Sequence, residues 1–521
     1  MRWQGRIAAD RHVETMVKDV RMKRFAVGEE NRRLLVRAKE RAILPIAAPL
    51  GLILAYAPAA FAQGPLEQLP NQNPAQQDMA KSIDTVCPSL VQRQNISRSP
   101  DEIDLQQTCT RMIDTAREVG QQPRAGYGLT TDQTNNALQS INGEEVQAAQ
   151  QQTGDIQASN ISGRLEAIRS GAVGRGLSIA SLRLGSGSQL ASVGDYGRYS
   201  SDGPLMASAT ASDAPISLAQ GEESEAWFGP WGVFLTGSVT FGNKDATGKV
   251  DGFDFVLPGV TAGADYQVSQ NFILGGAFGF SHYDADFDAT VRSPSGQSLK
   301  SNSYTLSVFA SYFFGKRFYA DAIGTVGYTG YESTRRIVIP SQNPAFAPMD
   351  RIASGDFDAI QYSLTANIGY QYAFRGVELE PVARLRYLAA GIKGFTEAGA
   401  DGLNLAYSDQ DVDSLTTRLG LQASYAVSTP IGVVVPYARG EYVHEFLNDN
   451  DGAPVRYAAD PTGLSEFVIT TEDPDRNYGE LGAGVALTLP QGWVTFLDYA
   501  AVVGFADFAI HTVAAGLRKD F

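Results

Sequence analysis

From Trp227 to Phe521 the chain repeats one pattern: apolar side chains at every second position, set against small polar or charged ones. Successive side chains of a strand point to opposite faces, so each run reads as a strand with two unlike faces. Tyr304, Leu306, Val308, Ala310, Tyr312 and Phe314 alternate with Ser303, Thr305, Ser307, Phe309 and Ser311. Tyr362, Leu364, Ala366, Ile368, Tyr370 and Tyr372 alternate with Gln361, Ser363, Thr365, Asn367, Gly369 and Gln371. Val377, Leu379, Ala383, Leu385 and Tyr387 stand against Glu378, Glu380, Arg384 and Arg386. A greasy face ending in aromatics, backed by a polar face, suits a strand with lipid on one side and a wet lumen on the other.

A soluble sandwich also alternates, so the connections have to decide. Tight links at Ser269-Gln-Asn, Gly315-Lys, Phe374-Arg-Gly, Ser428-Thr-Pro and Pro490-Gln-Gly take turns with long ones at 242–253, 285–301, 333–355, 391–408 and 448–476. Outer-membrane barrels alternate in this way, and the scheme gives about twelve strands, an even number as they require. The expected class is mainly β: a twelve-stranded antiparallel transmembrane barrel over 226–521. Val513, Ala515, Leu517, Lys519 and Phe521 share one parity in the last strand. Inward parity places Asp321, Glu378, Glu380, Arg384, Arg386 and Arg418 in the lumen, where an ionised group needs water or a partner. Composition agrees: Gly is abundant (53), Tyr and Phe number 22 and 25, and 19% of residues are charged. A net charge of −15 argues against nucleic acid as a partner.

The first part of the chain differs. Arg32, Arg33, Arg37, Lys39 and Arg41 precede an apolar run from Ile43 to Ala60, and Ala60-Phe61-Ala62 before Gln63 is a small-x-small cleavage site. Residues 1–62 therefore read as an extended signal peptide cut between Ala62 and Gln63, with an uncleaved anchor as the alternative and Met22 as another candidate start. Ile83, Val86 and Leu90, then Leu105, Cys109, Met112 and Ile113, recur at helical spacing around a Ser99-Pro-Asp-Glu turn. The reading is a helical hairpin, within a 63–150 passenger-like segment, tied by a Cys87–Cys109 disulfide in an oxidising compartment. Such a bridge should contribute ~3 kcal/mol. Residues 118–150 are polar and irregular. One more helix is expected over 155–170, where Ile156, Ile161, Leu165 and Ile168 form a stripe with Arg164 and Arg169 on other faces. Its length of ~24 Å is close to the ~25 Å apolar band of a barrel. Residues 171–225 are rich in Gly and Ser and read as a linker.

Residues 227–521 resemble the autotransporter β-domain. The segments that carry the resemblance are Gly259-Val-Thr-Ala-Gly-Ala-Asp-Tyr266, Arg317-Phe-Tyr-Ala-Asp321, Glu380-Pro-Val-Ala-Arg-Leu385, Asp409-Gln-Asp-Val-Asp-Ser-Leu415, Val443-His-Glu-Phe446, Asp473-Pro-Asp475 and Ala515-Gly-Leu-Arg-Lys-Asp-Phe521. The resemblance implies type V secretion: a barrel in the bacterial outer membrane, with a helix threaded through its lumen, that takes part in moving an N-terminal passenger to the surface. It implies outer-membrane lipid and lipopolysaccharide, the barrel-assembly machinery (reading Leu517 and Phe521 at the C-terminus) and periplasmic chaperones as partners of a monomer. Asn160 to Arg169 is similar to the family's pore helix, so Arg164 and Arg169 become candidate partners for the acidic lumen groups; pairing among the strands themselves is the other option. Self-cleaving members use two adjacent Asn where Ser159-Asn160 stands here, and Asn135-Asn136 falls outside that helix. The N-terminal segment is therefore expected to stay attached.

No Gly-Asp-Ser-Leu or Gly-x-Ser-x-Gly string occurs, and the four His are His12, His282, His444 and His511. A passenger without His builds neither a Ser-His nucleophile nor a His-based metal site, so no catalytic residue, cofactor or metal is expected. Asp409, Asp411 and Asp413 lack the Gly and Glu of a calcium loop. They could bridge lipopolysaccharide through divalent ions or mark a solvated strand end. The functional expectation is a translocator that displays a short, non-enzymatic segment, with a role in adhesion or aggregation. The alternative is a plugged pore with a periplasmic N-terminal segment.

Overall fold

The computed structural model describes residues 64–93, 97–119, 125–142 and 176–182 and, with short gaps, 231–519. The cleavage site, the 155–170 helix with Arg164 and Arg169, and Phe521 lie outside the described residues.

Twelve long strands follow in order: β1 (Trp231–Lys244), β2 (Phe253–Ser269), β3 (Phe272–Phe287), β4 (Ser298–Phe314), β5 (Phe318–Ile339), β6 (Met349–Tyr370, continued by Tyr372–Phe374), β7 (Val377–Ile392), β8 (Gln410–Tyr425, continued by Val427–Thr429), β9 (Gly432–Glu445), β10 (Asn477–Leu489), β11 (Trp493–Val503) and β12 (Phe508–Lys519). Each pairs antiparallel with the next, and β12 returns to β1 through Phe508↔Lys244 to Thr512↔Thr240. Closure pairs the two edges of the sheet with each other, as hydrocarbon demands, because an unpaired backbone group there costs several kcal/mol. At the other end of this seam a short strand, Gly176–Leu182, runs parallel to β1 from Gly176↔Gly232 to Leu182↔Gly237 and meets β12 at Leu182↔Ala515. It lies within the stretch expected to be linker.

The five tight links fall at one end of the barrel, where β1 begins and β12 finishes. Four of the expected long connections hold further structure or are shorter than read. The stretch 333–355 is largely strand, because β5 and β6 run on together as far as Ile339↔Met349. The polar run Ser333-Thr-Arg-Arg336 reads as loop, yet Arg335, Ile337 and Ile339 point inward and are buried. The 391–408 and 448–476 connections contribute Leu405–Tyr407, Ala453–Tyr457 and Phe467–Ile469 to a separate three-stranded sheet. Between β3 and β4 the ladder extends to Asp286↔Ser298, so that link is also shorter than 285–301. We call the end of the barrel that carries these connections the mouth.

Tyr304, Leu306, Val308, Tyr362, Leu364, Ile368, Leu385, Leu419 and Leu421 are exposed on the outer wall, as the alternation requires of a lipid face. Near the mouth that face ends in a ring of hydrogen-bonded pairs, each between a rising strand and the next descending one. His282 Nδ1 meets Asn302 at 3.0 Å, Tyr387 OH donates to Asp413 at 2.8 Å, Tyr442 OH to Asn477 at 2.5 Å, and Tyr499 OH meets His511 at 2.9 Å. Tyr328 OH donates to Asp358 in the same way. An apolar ring body with a bonded polar tip belongs at the water interface of a bilayer.

Three helices form the N-terminal unit: α1 (Pro74–Gln92), α2 (Pro100–Arg117) and α3 (Thr131–Ile141). Asn73 and Gln76 make a reciprocal capping box for α1, and Ser99 caps α2 through Glu102 N. α3 falls in a stretch read as irregular. Its start is written in the Thr130/Gln133 capping box, a recognisable N-terminal sign. The Cys87–Cys109 bond joins α1 to α2 with a Cα–Cα distance of 5.8 Å. Asn135, the first of the Asn135-Asn136 pair, is buried in α3 and donates to Pro70 O at 3.0 Å.

Candidate functional site

Asp321, Glu380, Arg384, Arg386 and Arg418 are buried and inward, while Glu378 is half-buried near the tight-turn end. Their partners come from adjacent strands and from strands two places away. Ser311 Oγ donates to Asp321 at 2.7 Å and Tyr319 OH to Glu380 at 2.6 Å. Arg384 Nε donates to Asn367 at 3.0 Å. Arg418 lies 3.3 Å from Glu480 and 3.9 Å from Glu441. The best-formed pair was missed by sequence reasoning: Arg439 grips both oxygens of Asp498 at 2.7 and 3.0 Å, and Tyr437 OH adds a third bond at 2.7 Å. A Cβ at Gly482 would stand 2.4 Å from the Arg439 guanidinium carbon, so that glycine makes room for the pair. Pairing between strands thus accounts for much of the lumen charge, most of it in the arc from β7 to β11.

Above this wet wall the lumen changes character. Phe253, Phe255, Leu257, Tyr283, Ala285, Leu299, Tyr331 and Phe357 point inward and pack as an apolar layer. From it a stack of rings climbs to the mouth. Tyr331 lies over Phe357 (4.9 Å between centroids), Phe357 over Phe395 (4.2 Å) and Phe395 over Tyr407 (4.4 Å), all within 11° of parallel. Gly355 allows this, since a Cβ there would meet the Phe395 ring at 2.4 Å.

The helical unit sits on top of that layer. Leu66, Met79, Ile83, Val86, Leu90, Leu105, Met112, Leu138 and Ile141 share one buried core with Ile337, Ile339, Leu403, Leu405, Val455, Tyr457 and Phe467 of the mouth. Two mouth arginines reach into it. Arg335 donates to Glu397 at 3.0 and 2.5 Å, to Leu403 O at 3.1 Å, and to Ile141 O at the C-terminal end of α3 at 2.8 Å. A cation is favoured at that negative helix end. Arg351 holds both oxygens of Asp104 in α2, at 2.5 and 2.9 Å. Burial pulls the Asp104 carboxyl upward, but Arg351 outweighs it and keeps Asp104 below the usual carboxylate range. In α1, burial pushes Asp84 up to about 6 although Leu66 N and Glu67 N donate to it. Burial likewise raises the Tyr457 hydroxyl, which meets Met79 Sδ at 3.0 Å.

The family model of the autotransporter β-domain matches residues 233–500. The chain belongs to that family. It is an outer-membrane β-barrel of type V secretion, and the fold described above is the translocator of such a system. A curated relative, Esterase EstA of Pseudomonas aeruginosa, is 26% identical over 267 residues, which are 50% of this chain and 38% of the esterase. Outer membrane protein B of Rickettsia prowazekii is 24% identical over 239 residues, 45% of this chain and 14% of that protein. The chain thus spans well under half the length of either. Among solved structures, the translocator domain of autotransporter NalP from Neisseria meningitidis aligns at 17% identity and a TM-score of 0.42, covering 56% of this chain and 87% of that one.

Among the described residues no group of three or more His, Cys, Asp or Glu could hold a metal ion. Asp409, Asp411 and Asp413 are exposed near the mouth, with Asp409 accepting from Gly394 N at 2.7 Å and Asp413 from Tyr387. Leu517 pairs with Thr495 in the last ladder. Of the other residues that sequence reasoning missed, Arg335, Arg351, Glu397 and the ring stack lie in stretches read as loop or strand end.

Proposed function

We propose that this autotransporter keeps its short helical N-terminal unit attached and displays it on the outer face of the membrane, seated over the mouth of its own barrel. The observation that carries this is the core shared between the three helices and the long connections. In outer-membrane barrels long connections face outward and tight turns face the periplasm. A periplasmic plug would instead contact the tight-turn end, so the packing favours display over the plugged-pore alternative. Asn142 ends α3 at the mouth, where Ser140 Oγ donates to Val338 O at 3.1 Å, whereas Gly176 pairs with Gly232 near the tight-turn end. The displayed surface is available for adhesion or aggregation. Lipopolysaccharide around the aromatic ring, the barrel-assembly machinery and periplasmic chaperones complete the expected partners of a monomer.

One curated relative is named an esterase, which raises the question of an enzymatic passenger. We read this one as non-enzymatic, because no His stands anywhere from Gln63 to Ser281, and a Ser hydrolase needs a base beside its nucleophile. The location is tested through Lys81, which is exposed on α1 and is the only Lys in residues 63–150. A membrane-impermeant amine reagent should modify Lys81 on intact cells, and a Lys81→Arg chain should lose that label. Modification only after the outer membrane is broken would refute display and restore the plugged pore.

A further inference from the structure

We infer that the helical unit is held on the mouth by its non-covalent interface, so that cutting the chain between unit and barrel leaves the unit seated and the mouth closed. This rests on the display proposed above and adds how the displayed unit is retained.

All three helices contribute, and they contact three separate connections of the mouth, β5–β6, β7–β8 and β9–β10. From α1, Ser82 Oγ donates to Ser465 O at 3.0 Å. From α2, Asp104 takes the Arg351 guanidinium and also Gly402 N at 3.1 Å. From α3, Ile141 O takes Arg335, and Ser140 Oγ accepts from Val338 N at 3.2 Å. The chain between α2 and α3 is clasped as well: Gln342 N donates to Tyr127 O and Asn343 Nδ2 to Gly126 O, each at 2.9 Å. Arg111 lies over the Phe346 ring at 4.7 Å.

The fit is close in shape. A Cβ at Gly402 would stand 2.4 Å from Leu105 N and 2.6 Å from Asp101 O, so the connection lies directly against the α2 backbone. Removing the unit would expose Ile337, Ile339, Leu403, Leu405 and Tyr457 together, and would strip Arg335 of its α3 partner. Release therefore has to break an apolar core, the Arg351–Asp104 pair and the Arg335 bond to α3 at once. The Arg351–Asp104 pair is part-buried and doubly hydrogen-bonded, and loss of such a charge pair shows itself mainly as faster dissociation. Below the unit, the Tyr331–Phe357–Phe395–Tyr407 stack supplies a floor that the barrel and its connections build by themselves.

The experiment uses the full chain in the outer membrane, with residues 144–149 replaced by the recognition sequence of a site-specific protease. Protease is added to intact cells, and the freed 64–142 fragment is followed in pellet and supernatant. The expected result is a cut chain whose fragment stays with the cells, and whose purified form shows no rise in conductance in planar bilayers. Arg351→Glu should speed loss of the fragment after cutting by roughly tenfold, and Asp104→Arg in the same chain should slow it again. The reversal separates loss of the pair from misfolding. Prompt appearance of the fragment in the supernatant of the unaltered chain would overturn the inference while leaving display intact. No change in release with Arg351→Glu would also overturn it. Cutting that requires a broken outer membrane would sink the display reading, and this inference with it.

Discussion

Replacing Arg335 by Met should loosen the helical unit from the mouth more than any other single change. The side chains of Arg335 and Glu397 are each 2% exposed. In Arg335→Met the Glu397 carboxylate stays buried and keeps only Leu405 N, at 2.8 Å, as a donor. Leaving one partner of a buried ion pair behind costs about 3–5 kcal/mol. The carbonyls of Ile141 and Leu403 also lose their Arg335 donor, which places the effect in the upper part of that range. Adding Glu397→Gln removes the stranded charge but still offers an acceptor to Leu405 N. The double variant should therefore recover a few kcal/mol, as paired removal of buried charges does. The assay is native-state hydrogen exchange of the α3 amides in the detergent-solubilised full chain, with the heat-induced gel shift confirming an intact barrel. A cost under about 1 kcal/mol for the single variant would refute the reasoning, since it would be no more than an exposed pair is worth. So would a double variant as weak as the single one, because the penalty would then not be the uncompensated charge.

Four further outcomes follow from other contacts in the structure. Cys87→Ser with Cys109→Ser should weaken the helical unit by ~3 kcal/mol, seen as faster proteolysis of residues 64–142 with the barrel's gel shift unmoved. Asp84 has a folded value of about 6 against an ordinary 3.8, so the native unit binds more protons between those values and its stability falls as pH rises through that window. Asp84→Asn should abolish this slope and gain about 1–2 kcal/mol at neutral pH once solvent screening is allowed for; an exchange profile of the unaltered chain that stays flat across that window would contradict it. Asp104 has the opposite sign: the stability Arg351 lends through it is present above pH 3.8 and is lost as pH falls through the lower folded value. In the wall, Asp498→Ala leaves Arg439 and Tyr437 without their shared acceptor, so the temperature of the barrel's gel shift should drop clearly, whereas Asp498→Asn should lose less because it still accepts one bond.

The barrel was legible because lipid enforces a single rule on every strand, and each strand repeats it. Leu306, Val308, Leu364 and Ile368 are exposed where the alternation puts them, and Glu380, Arg384 and Arg386 are buried on the other side. What the alternation alone does not announce is where the rule stops. In β3, Leu274 and Phe278 face out within the apolar belt, but higher up the same outward parity carries His282, Asp284 and Asp286, and the inward parity turns to Tyr283 and Ala285. The inversion is written in the sequence as Ser281-His-Tyr-Asp-Ala-Asp-Phe287. It marks two boundaries at the same height: outward side chains leave the bilayer for water, and inward side chains leave the wet lumen for the apolar layer under the helices. The same double boundary explains the misread 333–355 stretch. Arg335 and Arg336 look like loop residues, yet Arg336 faces outward to Asp350 at 2.6 Å while Arg335, one position away, is buried inward. An alternating strand was there all along, with charge on both faces, and only the packed partner on its inward face distinguishes it from a solvated loop. That partner is encoded some two hundred residues earlier, in α3 (Arg335 and Ile141 are 194 positions apart), so no local pattern could supply it. Where the apolar parity of a barrel strand reverses near its mouth, the residue facing inward is therefore the place to look for something seated on top.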